Sequence, residues 1–168
     1  MAFSTIVMIP KPNSDAHRGI GLTETSWKIF GNVLKERISN EIRFHRGLHG
    51  FRNQRSTTTD IIELKLTMTY AHLFKFPTYS VFLDIEKAYD RVNRRSLLQI
   101  LKHYGIGKST LDILKEYWNK QKCVIKNGRY YSMKFKPTEG VTQGDILSPT
   151  FFNIIVYSIL KKIYVEMK

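Results

Sequence analysis

The sequence predicts an α/β protein in which strands and helices are mixed along the chain. Three observations carry this. Val81, Phe82 and Leu83 are consecutive and apolar, as in a strand buried on both faces. Trp27, Phe30, Leu34, Ile38 and Ile42 instead recur at helical spacing. Asn127-Gly128 separates two short segments with the signature of a hairpin turn.

In chain order, Ser4 to Ile9 is a short apolar run stopped by Pro10-Lys11-Pro12-Asn13, which predicts a strand and then a turn. A helix capped near Thr23 or Thr25 carries the apolar series from Trp27 to Ile42. Gly47 to Thr58 is irregular and basic. Ile61, Leu64, Met68 and Ala71 mark a second helix, which must end before Pro77, because the residue ahead of a proline disfavours helical geometry. Tyr79 to Asp84 then predicts a central strand that terminates in an acid. Asn93 caps a helix running to Tyr104, with Gly105 just past its end. Another helix spans about Ser109 to Asn119, and Lys122–Lys126 and Arg129–Phe135 form the hairpin arms. Ser148-Pro149 opens the last helix as cap and first helical residue. Pro77-Thr78 is the expected lobe boundary.

The 168 residues and 42% hydrophobic content suffice for a real core. Aromatic residues spread along the chain argue against disorder. One cysteine, Cys123, excludes an intrachain disulfide framework and a cysteine zinc cluster. The opening MAFSTIVMIP lacks the basic leader and cleavage site of a secretory signal. The apolar run Phe151 to Leu160 meets Lys161 and Lys162 too soon to span a bilayer. An intracellular protein with no membrane partner is expected. The formal net charge of +13 favours a polyanionic partner, nucleic acid before membrane. The excess is uneven: residues 1–84 carry 11 Lys and Arg against 7 acids, and residues 85–168 carry 16 against 7. Between Lys120 and Lys136 the basic residues include Lys120, Lys122, Lys126 and Arg129, with no acid and with Tyr130, Tyr131 and Phe135 interleaved. That pattern suits a surface that tracks a phosphate backbone and stacks on bases, or simply a solvated hairpin face.

Two segments can carry chemistry. Asp84 ends the expected buried strand, where a carboxylate can face a cleft from a rigid backbone and offer the hard oxygen that Mg²⁺ prefers. By itself the same acid also reads as a turn cap. From Thr138 to Pro149, Gly140 and Gly144 flank a loop containing Gln143, just ahead of a helix. Glycines let backbone approach a ligand, and the Gln amide both donates and accepts. The histidines His17, His45, His49, His72 and His103 show no metal-ligand spacing.

Taken together, these segments resemble a known family. FLDIEKAYDRV (82–92) is similar to the first catalytic motif of the reverse transcriptase palm, and GVTQGDILSPTFFN (140–153) to the second. HGFRNQRSTTTDI (49–61) and IPKPNSDAHRGIGLTETSWKIFGNVLKERIS (9–39) resemble the fingers segments that precede them. The order is right and the blocks cover most of the chain. The HGFR and QGDILSP forms resemble the non-LTR retrotransposon and group II intron branch. The resemblance implies a right-hand polymerase fold, with fingers-like residues 1–78, a partial palm at 79–168 holding the first two palm motifs, and no thumb.

It also implies template-directed DNA synthesis from dNTPs on RNA, with a DNA primer and Mg²⁺. Asp84 matches the metal-binding aspartate and the Ile85 carbonyl the next ligand. Tyr89 matches the aromatic gate against a ribose 2′-OH. Gln143 and Gly144 match the loop beneath the incoming nucleotide and template, and Lys11 and Arg18 match residues that hold the triphosphate. Two features depart from the pattern. Arg18 is followed by Gly19 rather than proline, and no Asp-Asp pair of a third palm motif occurs in the 168 residues. Two metals about 3.5–4 Å apart need a bridging set of carboxylates. The expectation is therefore a family member that is inactive as this isolated chain, the alternative role being a nucleic-acid-binding module of retroelement origin.

Overall fold

A computed structural model describes residues 3–13 and 15–166. The chain forms two compact units, one of Met1–Arg43 with Lys87–Lys168 and one of Phe44–Glu86.

The first unit is organised by a four-stranded sheet. Its strands β1 (Phe3–Pro10) and β2 (His17–Thr23) pair antiparallel, with Ser4 opposite Thr23 and Pro10 opposite His17. The proline-rich turn between them is closed by Lys11 N donating to the Ala16 carbonyl at 2.9 Å. β3 (Lys122–Asn127) runs parallel to β1, and β4 (Tyr130–Tyr131) pairs antiparallel with β3, giving the order β2-β1-β3-β4. The predicted hairpin is present, and its turn is Asn127-Gly128-Arg129-Tyr130 with Asn127 opposite Tyr130. β2 is a strand that the sequence pattern does not announce. Gly19 and Gly21 dilute its two apolar residues, Ile20 and Leu22, and glycine inside a strand weakens the signal. This sheet crosses the expected lobe boundary, since β1 lies in the 1–78 part and β3 in the 79–168 part.

Helices α1 (Thr25–Glu41), α3 (Arg94–His103), α4 (Lys108–Lys120) and α5 (Ser148–Glu166) complete this unit. α3 starts as the sequence predicts: Asn93 Oδ1 accepts from Ser96 N at 2.9 Å. Gly105, just past its end, takes φ 87°. The core is built from Leu34 and Ile38 of α1, Leu97 and Leu101 of α3, Leu114 of α4, and Phe151 and Ile154 of α5, all buried.

The second unit holds α2 (Thr57–Leu73), capped by Ser56, whose Oγ accepts from Thr59 N at 3.3 Å. Of the predicted apolar series on this helix only Ala71 is buried; Ile61, Leu64 and Met68 are exposed. The largest correction follows it. Tyr79 to Asp84 is not a strand: the segment has no regular structure, and Phe82 and Leu83 are 82% and 86% exposed. A strand exists only through its ladder, and no described strand pairs with these residues. Apolar content alone therefore did not decide their conformation.

Candidate functional site

The Gly140–Gly144 loop is tied down on three sides within the first unit. Residues 87–92 form a tight turn, with Arg91 N donating to the Lys87 carbonyl at 3.0 Å. That turn meets the loop directly: Val141 N donates to the Tyr89 carbonyl and Gly140 N to the Val92 carbonyl, both at 2.9 Å. On the other side the loop lies along the open edge of β2, where Gly21 N donates to the Gln143 carbonyl at 2.6 Å. Gly144 adopts φ 102°, and a Cβ there would stand 2.7 Å from the Gly21 carbonyl oxygen. Glycine is required for both reasons. At Gly140, φ is 78° and a Cβ would meet the Asp90 carbonyl oxygen at 2.7 Å.

Arg94 holds the third side. Its Nε donates to the Gly140 carbonyl at 2.7 Å, Nη1 to the Pro137 carbonyl at 3.1 Å, and Nη2 to Gln121 Oε1 at 2.9 Å. Its guanidinium also lies 5.6 Å from the Trp118 ring centroid. Gln121 passes the connection on, donating from Nε2 to Thr142 Oγ1 at 3.0 Å. Ser148, predicted as a helix cap, instead donates its hydroxyl to the Thr142 carbonyl at 2.7 Å. Asp145 Oδ1 takes the Leu147 N–H at 2.9 Å, a local turn just ahead of α5.

Asp145 is buried and ties α1 and α4 to the turn ahead of α5. Its Oδ2 accepts from Trp27 Nε1 at 2.7 Å and from the Tyr117 hydroxyl at 3.2 Å. The Trp27 and Tyr117 rings stack with centroids 3.5 Å apart. Burial pushes the Asp145 carboxyl above its ordinary range, while the Leu147 amide, Trp27 and Tyr117 pull it back. Tyr117 is pushed up as well, by burial and by the neighbouring carboxylate. Arg94 did not stand out in the sequence as a residue of the site, and Asp145 did so only as an acid that could complete a metal site. A basic residue just after the Asn93 cap and an acid between Gly144 and a helix start were the available signals.

The structure thus ties the turn that carries Tyr89 to the loop that carries Gln143 and Gly144. The Tyr89 ring is half-buried, 5.6 Å from Phe152, and burial raises its hydroxyl pKa. Lys11 sits exposed in the β1–β2 turn, and Arg18 lies on β2 opposite Ile9, also exposed. Of the basic hairpin residues, Lys120 is engaged with Glu116 at 2.5 Å, both side chains open to solvent. Lys126 Nζ stands 5.6 Å from the Tyr131 centroid, while Lys122 and Arg129 are exposed.

Asp84 and Ile85 belong to the second unit and are exposed. Asp84 is a suitable oxygen donor, but among the described residues no group of three or more His, Cys, Asp and Glu side chains could hold a metal ion. The donor set does not fit a two-metal centre. The second unit also holds a cluster that the sequence did not reveal. His49 is buried, with Nδ1 2.9 Å from Asp60 Oδ1 and Nε2 3.6 Å from Glu63 Oε2. Arg52 Nη1 donates to the carbonyls of His45 and Leu48 at 3.0 and 2.8 Å, folding the loop ahead of α2.

A four-stranded sheet, with a second palm-type motif hydrogen-bonded to the end of the first, is in keeping with a right-hand polymerase fold. Comparison with known proteins agrees. The profile of the family described as reverse transcriptase (RNA-dependent DNA polymerase) matches residues 9–167, and the chain belongs to that family. It is 25% identical to the Pol polyprotein of the type-2 retrotransposable element R2DM of Drosophila melanogaster, over 80% of this chain and 13% of that protein. It is 29% identical to the RNA-directed DNA polymerase of the mobile element jockey of Drosophila funebris, over 90% of this chain and 17% of that protein. A putative COX1/OXI3 intron 1 protein of Saccharomyces cerevisiae is 24% identical over 90% of the chain and 17% of its own length. The chain thus spans less than a quarter of the length of these relatives. Among solved structures, apo telomerase from Candida tropicalis superposes with a TM-score of 0.66 at 19% identity, over 96% of this chain and 39% of that one.

Proposed function

We propose that this chain is the nucleotide- and template-holding part of an RNA-directed DNA polymerase that works inside the cell on RNA template, DNA primer and dNTPs. The observation that carries the reading is the direct hydrogen bonding between the Tyr89 turn and the Gly140–Gly144 loop, which joins the two palm motifs into one floor. On that floor Tyr89 stands against the sugar and excludes a 2′-OH. Gln143 and Gly144 lie beneath the base pair. Lys11 and Arg18 reach the triphosphate. The basic arm of Lys120, Lys122, Lys126 and Arg129 follows the strand backbone, with Tyr130 and Tyr131 as exposed stacking faces. RNA binding is also in keeping with the solved relative, a Candida tropicalis telomerase in complex with a fragment of telomeric RNA.

Reverse transcriptases use a divalent metal, and Asp84 with the Ile85 carbonyl is the proposed point of Mg²⁺ contact. Because that donor set is incomplete, the 168-residue chain should hold a nucleotide without joining it to a primer. The second reading, a nucleic-acid-binding module without catalysis, is favoured by the same isolation of Asp84. The test is dNTP binding and primer extension on an RNA template with Mg²⁺. Expected are saturable dNTP binding that Gln143→Ala weakens in a chain of unchanged melting temperature, and no extension. Robust Asp84-dependent incorporation would overturn the incomplete centre. Absence of dNTP binding would leave the binding-module reading.

A further inference from the structure

We propose that the pocket between the first turn of α1 and the C-terminal half of α4 is a docking site for an arginine side chain of a partner protein. The pocket has a volume of about 320 Å³. Its floor is apolar and mostly aromatic, made by Trp27, Phe30, Ile113 and Tyr117. Tyr117 covers one face of Trp27, with ring centroids 3.5 Å apart, and Phe30 stands tilted with its centroid 6.0 Å from that of Trp27. Trp27 and Tyr117 both donate to the buried Asp145, which fixes the two rings from behind. The floor is therefore held in place before any ligand arrives, and little ordering is left to oppose binding.

Charge decides the occupant. The charged residues that line the pocket are Glu24, Glu116 and Lys120. Lys120 Nζ is 2.5 Å from Glu116 Oε1, so these two neutralise each other. Glu24 remains. It stands at the N-cap of α1, yet its carboxylate makes no capping hydrogen bond, and no cation among the described residues pairs with it. The first turn of α1 and the last turn of α4 both border the pocket, and their dipoles have opposite sign there, so the two helix ends offset each other. The pocket thus carries a net negative charge in a chain of +13. Its aromatic floor favours a cation in the same sense. Arginine fits better than lysine. Its apolar stem lies along the floor, its planar guanidinium stacks on aromatic rings, and its fork meets a carboxylate through two hydrogen bonds. Beside the pocket, Val33, one turn beyond Phe30, and Ile29, one turn before Val33, are exposed on α1. Residues flanking an arginine in a polypeptide cover that apolar surface, whereas a free amine leaves it in water, and this makes the source a protein.

The experiment titrates N-acetyl-arginine methylamide into the whole chain and follows the indole N–H resonance of Trp27. A saturable shift is expected, with the neutral citrulline analogue binding about tenfold more weakly. N-acetyl-leucyl-arginine methylamide should bind more tightly than the single residue. Glu24→Gln should weaken arginine binding about fivefold, as for one well-placed exposed ion pair. Lys120→Gln, which frees Glu116, should strengthen binding by a similar factor, a gain that a damaged fold cannot produce. Glu36→Gln, an exposed acid of α1 outside the pocket, should leave binding nearly unchanged. Equal binding of the citrulline analogue, equal weakening by the Glu24 and Glu36 variants, or no gain from Lys120→Gln would each overturn the arginine site. So would a Trp27 shift driven by adenosine and not by the arginine probe, which would make the pocket a base site. Equal affinity for the one-residue and two-residue probes would make it a small-amine site and overturn the protein partner.

Discussion

Half-buried Arg94 and buried Asp145 hold the loop, one as a donor of three hydrogen bonds and the other as an acceptor of three. Removing such a partner leaves desolvated groups unpaired, so Arg94→Ala should cost about 3 kcal/mol in urea unfolding. Arg94→Lys, a point charge without the fork, should recover less than half of that loss. If both variants unfold like the parent, the guanidinium is not what fixes Gly140. Asp145 gives a pH signature. Burial raises its pKa in the folded state, so the native chain takes up a proton more readily than the unfolded chain. Its contribution to stability is then present below the ordinary carboxylate value near 3.8 and is lost as pH rises through the raised folded value. Asp145→Asn should remove that dependence, so that its stability relative to the parent increases as pH rises above the ordinary carboxylate value. A relative stability that falls over this window would mean the three donors outweigh burial.

Elements set by short-range chemistry were legible in the sequence. Asn93 and Gly105 bound α3 as caps do, Asn127-Gly128 makes the hairpin turn, and the proline cluster ends β1. Asn93→Ala should therefore cost about 1 kcal/mol and fray only the start of α3, which amide exchange at Ser96 would report. Elements that depend on partners far along the chain were not legible. β2 is a strand because β1 offers a ladder to a glycine-rich segment, and Tyr79–Asp84 is not one because no described strand does. α2 shows the same gap: its apolar spacing is helical, and it forms a helix, yet most of that face meets solvent. The site follows the same division. The Gly-Gln-Gly loop could be recognised from its residues, whereas the Arg94–Gln121–Thr142 chain joins positions that nothing local connects.

At the scale of the whole molecule, the balance between a packed unit and an uncovered apolar segment governs behaviour in solution. The first unit buries a continuous core from α1, α3, α4 and α5, while Phe76, Tyr79, Val81, Phe82 and Leu83 are all exposed. An extended run of that composition presents backbone donors and acceptors together with apolar side chains, the combination that pairs edge to edge with another chain. The net charge of +13 opposes such pairing, and salt screens that opposition over roughly 8–10 Å at physiological strength. Association should therefore grow with both protein concentration and salt. Val81→Lys with Leu83→Lys, alternate positions that share a face in any extended pairing, should suppress it in light scattering without lowering the melting temperature of the first unit. Chymotrypsin should cut first after Tyr79, Phe82 or Leu83, since exposed backbone outside regular structure is cleaved before packed helices. First cuts within α3 or α4, or scattering unchanged by the double variant, would mean that the segment is covered in solution and that the association face lies elsewhere.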